Sequence, residues 1–152
     1  MLALLQNPEQ WFMLQEDRTR IESAVEEILR YDAPTQRAHR IAVMDIQMRG
    51  KTIRQGDFVQ AVLGAANHDP EQFPEPDHFD IGRPNNKHIS FGAGHHYCVG
   101  APLSRLEAQL AITTLIRRLA DLRLAANELP VLSSNNFFRG RTDLPLKFDS
   151  TF

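Results

Sequence analysis

Cys98 is the only cysteine in the chain. It stands in the stretch Phe91-Gly92-Ala93-Gly94-His95-His96-Tyr97-Cys98-Val99-Gly100, which also holds three of the eight glycines and two of the six histidines. A thiolate binds metal and a neutral thiol does not, and a free cysteine titrates above neutral pH. A site for the anion therefore needs nearby groups that favour negative charge. The start of a helix supplies them, as unpaired backbone N–H groups and the positive end of the dipole. Such a start is predicted just after Cys98. Pro102 suits a first turn because it has no N–H to lose. Leu103, Leu106 and Leu110, then Ile112, Leu115, Ile116 and Leu119, recur at helical spacing and predict a buried stripe over 101–119. Gly92, Gly94 and Gly100 let the backbone turn sharply and approach a flat ligand closely.

Three other readings of this stretch stand beside metal ligation by the thiolate. A lone cysteine is often a small buried hydrophobe. Zinc held by Cys98 with His95, His96 or His88 is a second, but no Cys-x-x-Cys and no spaced histidine pair supports a closed tetrahedral site. A dinucleotide fingerprint is a third. It fails because Tyr97 stands where the third glycine belongs and no buried strand precedes the loop.

The pattern Phe-Gly-x-Gly-x-His-x-Cys-x-Gly, here Phe91 to Gly100, resembles the haem-binding loop of the cytochromes P450, the haem-thiolate monooxygenases. It continues into Ala101-Pro102-Leu103-Ser104-Arg105-Leu106-Glu107, similar to that family's helix after the cysteine, with serine where bacterial members usually carry alanine. The resemblance implies haem b (iron protoporphyrin IX) as cofactor and Cys98 as its axial ligand, within a loop marked by Phe91, Gly92 and Gly100. His96 and His88 match histidines that contact the haem propionates. Arg40 matches a strand arginine that pairs with a propionate; read alone, it is a snorkelling strand arginine.

The elements that must position this loop follow from the rest of the chain. Asn7-Pro8-Glu9 reads as a helix start, with Asn7 as cap and residues 2–5 as the tail of an earlier helix. A helix from about Arg18 to Tyr31 has Ile21, Val25, Ile28 and Leu29 on its buried face and stops before Pro34. Glu27 and Arg30 share one side of it, as do Glu26 and Arg30, and either pair reads equally well as a surface ion pair. By resemblance this is the family's Glu-x-x-Arg helix, whose Glu27 and Arg30 join Arg83 in a buried charge network. Residues 36–63 predict β-structure with turns at Arg49-Gly50-Lys51 and Gln55-Gly56-Asp57. Gly64 to His68 reads as one helical turn. Residues 69–90, with prolines at 70, 74, 76 and 84, lack any period, and Phe73 and Phe79 anchor them; by resemblance this is the family's meander. Residues 120–152 read as short strands, with candidates at Leu122–Leu124 and Leu144–Phe148.

The expected class is α+β, mainly helical with small sheets, arranged as the C-terminal portion of the cytochrome P450 fold in a single partial domain over 1–152. The segments are 1–31, 36–63, 69–90, 91–100, 101–119 and 120–152. The chain has 152 residues, is 42% hydrophobic and carries a formal charge of −2. Nothing in that balance argues for nucleic acid, no apolar run reaches membrane-spanning length, and one cysteine suits a reducing compartment. A cytoplasmic protein is expected. The resemblance implies an oxidoreductase served by a ferredoxin or flavoprotein. It also implies that the long helix over the distal face of the haem lies outside this sequence, so the chain alone is expected to be catalytically incomplete. Apolar surface left bare predicts a homo-oligomer or a complementary partner chain. The alternatives are a non-catalytic haem-binding or partner-assembly module, and a remnant domain without haem.

Overall fold

A computed structural model describes residues 1–125, 131–133 and 138–150. Two short helices open the chain, α1 (Leu2–Gln6) and α2 (Pro8–Glu16), followed by a 3-10 turn at Arg18–Arg20 and α3 (Ile21–Tyr31). Pro8 takes the first position of α2, where its missing N–H costs nothing. Asn7 flanks α2 without capping it: its amide donates instead to the Ala3 carbonyl of α1 at 2.7 Å and ties the two helices together. The side-chain cap falls later, where Asp17 accepts from the Thr19 N–H at 3.1 Å and starts the 3-10 turn.

The buried face of α3 differs from its apolar spacing. Ala24, Val25, Glu27 and Arg30 are buried, whereas Ile21, Ile28 and Leu29 are half-buried. A charged pair can occupy the inner face only because each charge finds partners there.

Four strands follow as two separate antiparallel ribbons. β1 (Ala38–Ile41) pairs with β4 (Phe58–Ala61), setting Arg40 opposite Val59, and β2 (Ile46–Met48) pairs with β3 (Lys51–Ile53). The β2–β3 turn has Arg49 and Gly50 at φ of 48° and 75°, the left-handed pair that a two-residue hairpin favours. The alternating run at 41–46 is not one strand; it breaks at 42–45, where the Ala42 N–H and carbonyl bond to Asp57 and Gly56. A single helical turn, α4 (Leu63–Ala66), leads into the irregular segment that ends at the cysteine loop.

The long helix α5 (Ala101–Arg118) and the ribbon of β5 (Leu119–Leu124) with β6 (Leu146–Ser150) complete the described fold. Leu4, Trp11 and Leu14 from the first helices meet Val25 of α3, Phe79 and Ile81 of the meander, Ile112 of α5 and Leu122 of β5 in one core. Each fully buried side chain of this kind contributes about 1.5–3 kcal/mol. The stripe expected on the front half of α5 is not covered. Leu103, Leu106 and Leu110 are each more than half exposed, because no element among the described residues packs on that side. No helix among the described residues is long and apolar enough to cross a membrane.

Candidate functional site

The bend before Cys98 is built by its glycines. Gly92 and Gly94 sit at φ of 75° and 63°, a region that side-chain-bearing residues avoid, and a Cβ at Gly94 would meet only open space. Three backbone bonds hold the bend: Gly92 N–H to the Ile89 carbonyl at 2.8 Å, Tyr97 N–H to the Gly94 carbonyl at 3.1 Å, and Cys98 N–H to the Phe91 carbonyl at 2.9 Å. A single 3-10 turn, Gly94–His96, fills the middle. α5 begins three residues past the cysteine, and a Cβ on its Gly100 cap would lie 3.8 Å from Sγ. The sulfur therefore lies at the positive end of an 18-residue helix. Its thiol is free and exposed, which disposes of the buried-hydrophobe reading.

Cys98 opens on a cavity of about 450 Å³ walled largely by apolar groups, among them Leu29, Ala38, Leu63, Phe91 and Phe138. Arg40 and His96 also line it and are exposed. Arg40 is held by a bond from its Nη1 to the His39 carbonyl at 2.7 Å. One accessible thiol, an apolar wall and two side chains able to bear positive charge are the donor set that an iron porphyrin with two propionates requires. Zinc finds no such match: no cluster of three metal-ligating side chains exists among the described residues.

His88 lies elsewhere. Its ring is 2% exposed, Nε2 lies 3.1 Å from Glu26 Oε2, and Nδ1 accepts the Ser90 N–H at 3.2 Å. That acceptor role leaves the ring proton on Nε2, facing the carboxylate. The ring lies between Glu26 and Ser90, and Arg40 and His96 line the cavity.

Beneath the loop, Glu27, Arg30 and Arg83 come together. Arg30 donates from Nε and Nη2 to the two oxygens of Glu27 at 2.8 Å each, with both side chains fully buried. Arg83 Nε reaches the same carboxylate at 3.2 Å and 3.3 Å, and Asn86 adds a bond at 3.0 Å. The remaining guanidinium hydrogens fix meander carbonyls: Arg30 those of Pro76 and His78, Arg83 those of Pro74, Glu75 and His78. Two cations around one buried anion thus stake out a segment that has no regular structure of its own.

Several residues of this arrangement escaped the sequence reading. Arg30 Nη1 also donates to the Asn67 carbonyl at 2.8 Å. The Asn67 side chain in turn accepts from the Ile89 N–H at 2.9 Å and donates to Ser90 Oγ at 2.8 Å. Glu26 pairs with Arg105 rather than Arg30, through bonds of 2.6 Å and 2.9 Å. Burial alone would raise the Glu26 carboxyl, but bonds from His88 and Arg105 and the Arg105 charge outweigh it and hold the group down at about 2. The bond from Glu26 raises Arg105 above its already high range. The sequence placed Asn67 only within the helical turn Gly64 to His68.

The family model for cytochrome P450 matches residues 13–128. The chain belongs to the cytochrome P450 family. It is 50% identical over 151 residues to the biotin biosynthesis cytochrome P450 of Bacillus subtilis (strain 168), a match that covers 97% of this chain and 37% of that relative. Among solved structures it is similar to P450BioI in complex with hexadec-9Z-enoic acid ligated acyl carrier protein, at TM-score 0.93 and 50% identity, over 97% of this chain and 38% of that one. It is equally similar in shape to the tirandamycin C-bound P450 monooxygenase TamI, at TM-score 0.93 and 40% identity, again over 97% and 38%. The chain therefore spans a little over a third of the length of these cytochromes P450. Its helices and small sheets form the corresponding part of the cytochrome P450 fold.

Proposed function

We propose that this chain is the haem-holding part of a haem-thiolate oxidoreductase, with Cys98 as the axial ligand. The observation that carries the reading is the placement of Cys98. A free, exposed sulfur sits at the start of α5 on the wall of an apolar cavity that Arg40 and His96 share. When bound, the haem supplies one-electron and oxygen chemistry, and a thiolate ligand favours O–O cleavage by pushing electron density to the iron. The glycine bend presents the sulfur to a flat ligand at the positive end of the α5 dipole, which suits a thiolate ligand. Arg40 and His96 take the propionates through charge-assisted bonds and so fix the rotation of the ring in the cavity. Phe91 and Leu29 keep water from the buried edge of the site.

Relatives with chemically unrelated ligands, an acyl-loaded carrier protein and tirandamycin C, share this part at TM-scores of 0.93. That suits a segment serving the common cofactor rather than substrate choice. Electrons would come from a ferredoxin or flavoprotein. The bare leucines of α5 would be covered by a second copy or by a chain carrying the complementary part of the fold. A second reading is a haem-binding or assembly module without turnover.

Haem titration of the purified chain, followed by reduction and a carbon monoxide difference spectrum, tests the proposal. A thiolate-type Soret band supports it. Turnover with peroxide then separates the oxidoreductase from the module. Absence of haem uptake leaves the remnant domain.

A further inference from the structure

Arg105 stands on the second turn of α5, and its guanidinium engages three side chains at once. Nε and Nη2 hold the Glu26 carboxylate at 2.6 Å and 2.9 Å. Nη1 donates to the Tyr97 hydroxyl at 2.9 Å. The guanidinium carbon lies 4.7 Å from the centre of the Phe91 ring. Phe91 and Tyr97 bracket the glycine bend, their rings meet edge to face at 6.4 Å, and the Phe91 carbonyl accepts the Cys98 N–H. Glu26 in turn is fixed from α3, beside the buried Glu27, and is braced on its far side by His88. One planar cation thus grips both ends of the loop and anchors them to a rigid helix.

We propose that Arg105 is a positioning residue for Cys98: anchored by Glu26, it clasps Phe91 to Tyr97 and thereby fixes the bend that aims the sulfur. This rests on the reading of Cys98 as an iron ligand for its consequence, but the clasp itself is a property of the haem-free chain. The geometry requires a fork. A lysine at 105 keeps the charge and can meet Glu26, yet it cannot also donate to Tyr97 and stack on Phe91. Because Glu26 neutralises the cation, the clasp works through shape rather than through added positive charge at the sulfur. The titratable groups facing the guanidinium are Glu26 of α3 and Tyr97 of the loop, with His88 behind the carboxylate.

Amide hydrogen exchange on the haem-free full chain tests this, using wild type, Arg105→Lys and Tyr97→Phe. The Cys98 N–H should exchange about tenfold faster in Arg105→Lys, the scale of one lost charge-assisted bond, and less than that in Tyr97→Phe. Amides of β1 and β4 should be unchanged, since Arg105 does not touch them. In the haem-loaded protein, Arg105→Lys should move part of the ferrous carbonyl population from the thiolate-type band to the neutral-thiol type. Unchanged Cys98 exchange in Arg105→Lys overturns the proposal, and so does a rise shared equally by β1 and β4, which marks general loosening. A wild-type chain that shows no thiolate band sinks the haem reading, while selective exchange at Cys98 still establishes the clasp.

Discussion

Asn67 and Ser90 share a buried hydrogen bond of 2.8 Å, and through it the charge network of α3 reaches the cysteine loop. Ser90 immediately precedes Phe91, and its hydroxyl donates onward to the Leu29 carbonyl at 2.6 Å. Asn67 contributes its backbone to Arg30 and its side chain to the loop. Asn67→Ala therefore spares the Arg30 bond but strands the Ile89 N–H. The expected cost is about 2–3 kcal/mol, and Ser90→Ala should cost less, about 1 kcal/mol. Urea unfolding of both variants gives the comparison, and a larger loss in Ser90→Ala would contradict it.

Arg83 and Arg54 make a sharper contrast. Arg83 is nearly buried, touches Glu27 and fixes three meander carbonyls. Arg54 is exposed in a turn and lends its backbone N–H to the Asp57 carboxylate. Removing one partner of a buried pair costs about 3–5 kcal/mol, and Glu27 retains Arg30, which points to the lower end for Arg83→Ala. Arg54→Ala should stay within about 0.5 kcal/mol of wild type. Thermal melting midpoints measured side by side decide it; equal shifts would remove Arg83 from the network.

The pH dependence of stability follows from Glu26. Its carboxyl lies at about 2 when folded, against 4.5 for an unperturbed group. A carboxyl depressed by folding stabilises the native state fully above its unfolded value, and that contribution fades as pH falls from about 4.5 through about 2. Glu26→Gln removes the charge while keeping the shape. At neutral pH it should destabilise by about 1 kcal/mol, a figure already reduced for solvent at the partly exposed pair. The gap to wild type should close as the solution is acidified below pH 4.5. Melting curves taken stepwise from neutral to acid check the sign, and a gap that widens on acidification would refute it.

The loop and the Glu-x-x-Arg helix were legible because their chemistry is local. Six fixed positions among ten, filled by four residue types, mark the bend around Cys98, and a spacing of three allows the Glu27–Arg30 pair that the resemblance chose over Glu26–Arg30. Arg83 was readable only through resemblance, since 56 residues separate it from Glu27. Asn67, Ser90 and Arg105 were not assigned roles. Asn67 bonds Ile89 22 residues on and Arg105 bonds Glu26 79 residues back, and a neutral asparagine or serine carries no periodic signal. His88 drew a propionate role from its place before Phe91; the neighbours the fold gives its ring, Glu26 and Ser90, had no local signal. Asn7 sat at a cap position and yet bonds backward to α1, because the Ala3 carbonyl offers an acceptor within reach. Periodicity showed that one face of α5 is apolar; it carries no information on what covers that face.

Cys98→Ala separates ligation from folding. The thiol is exposed and lies outside the core, so its loss should change stability by no more than about 0.5 kcal/mol. The thiolate-type carbonyl spectrum should vanish completely, because no second cysteine exists to replace it. Haem titration and melting of the same preparation supply both numbers. A surviving thiolate band would exclude Cys98 as the ligand.

The bare face of α5 sets the last expectation. Leu103, Leu106 and Leu110 are 59%, 51% and 59% exposed, and Val99 just before them is 98% exposed. Contiguous apolar groups of this size favour burial at about 25 cal/mol per Å² removed from water. An isolated chain can satisfy that only by association. Sedimentation should therefore give a mass above the 17.3 kDa of one chain. Replacing the three leucines by glutamine should shift the distribution toward monomer. The fold should survive, since the core contacts of α5 run through Ile112, Ala108, Leu115 and Ile116 on other positions of the helix. A wild-type chain that stays monomeric across the concentration range would show that this face needs no cover.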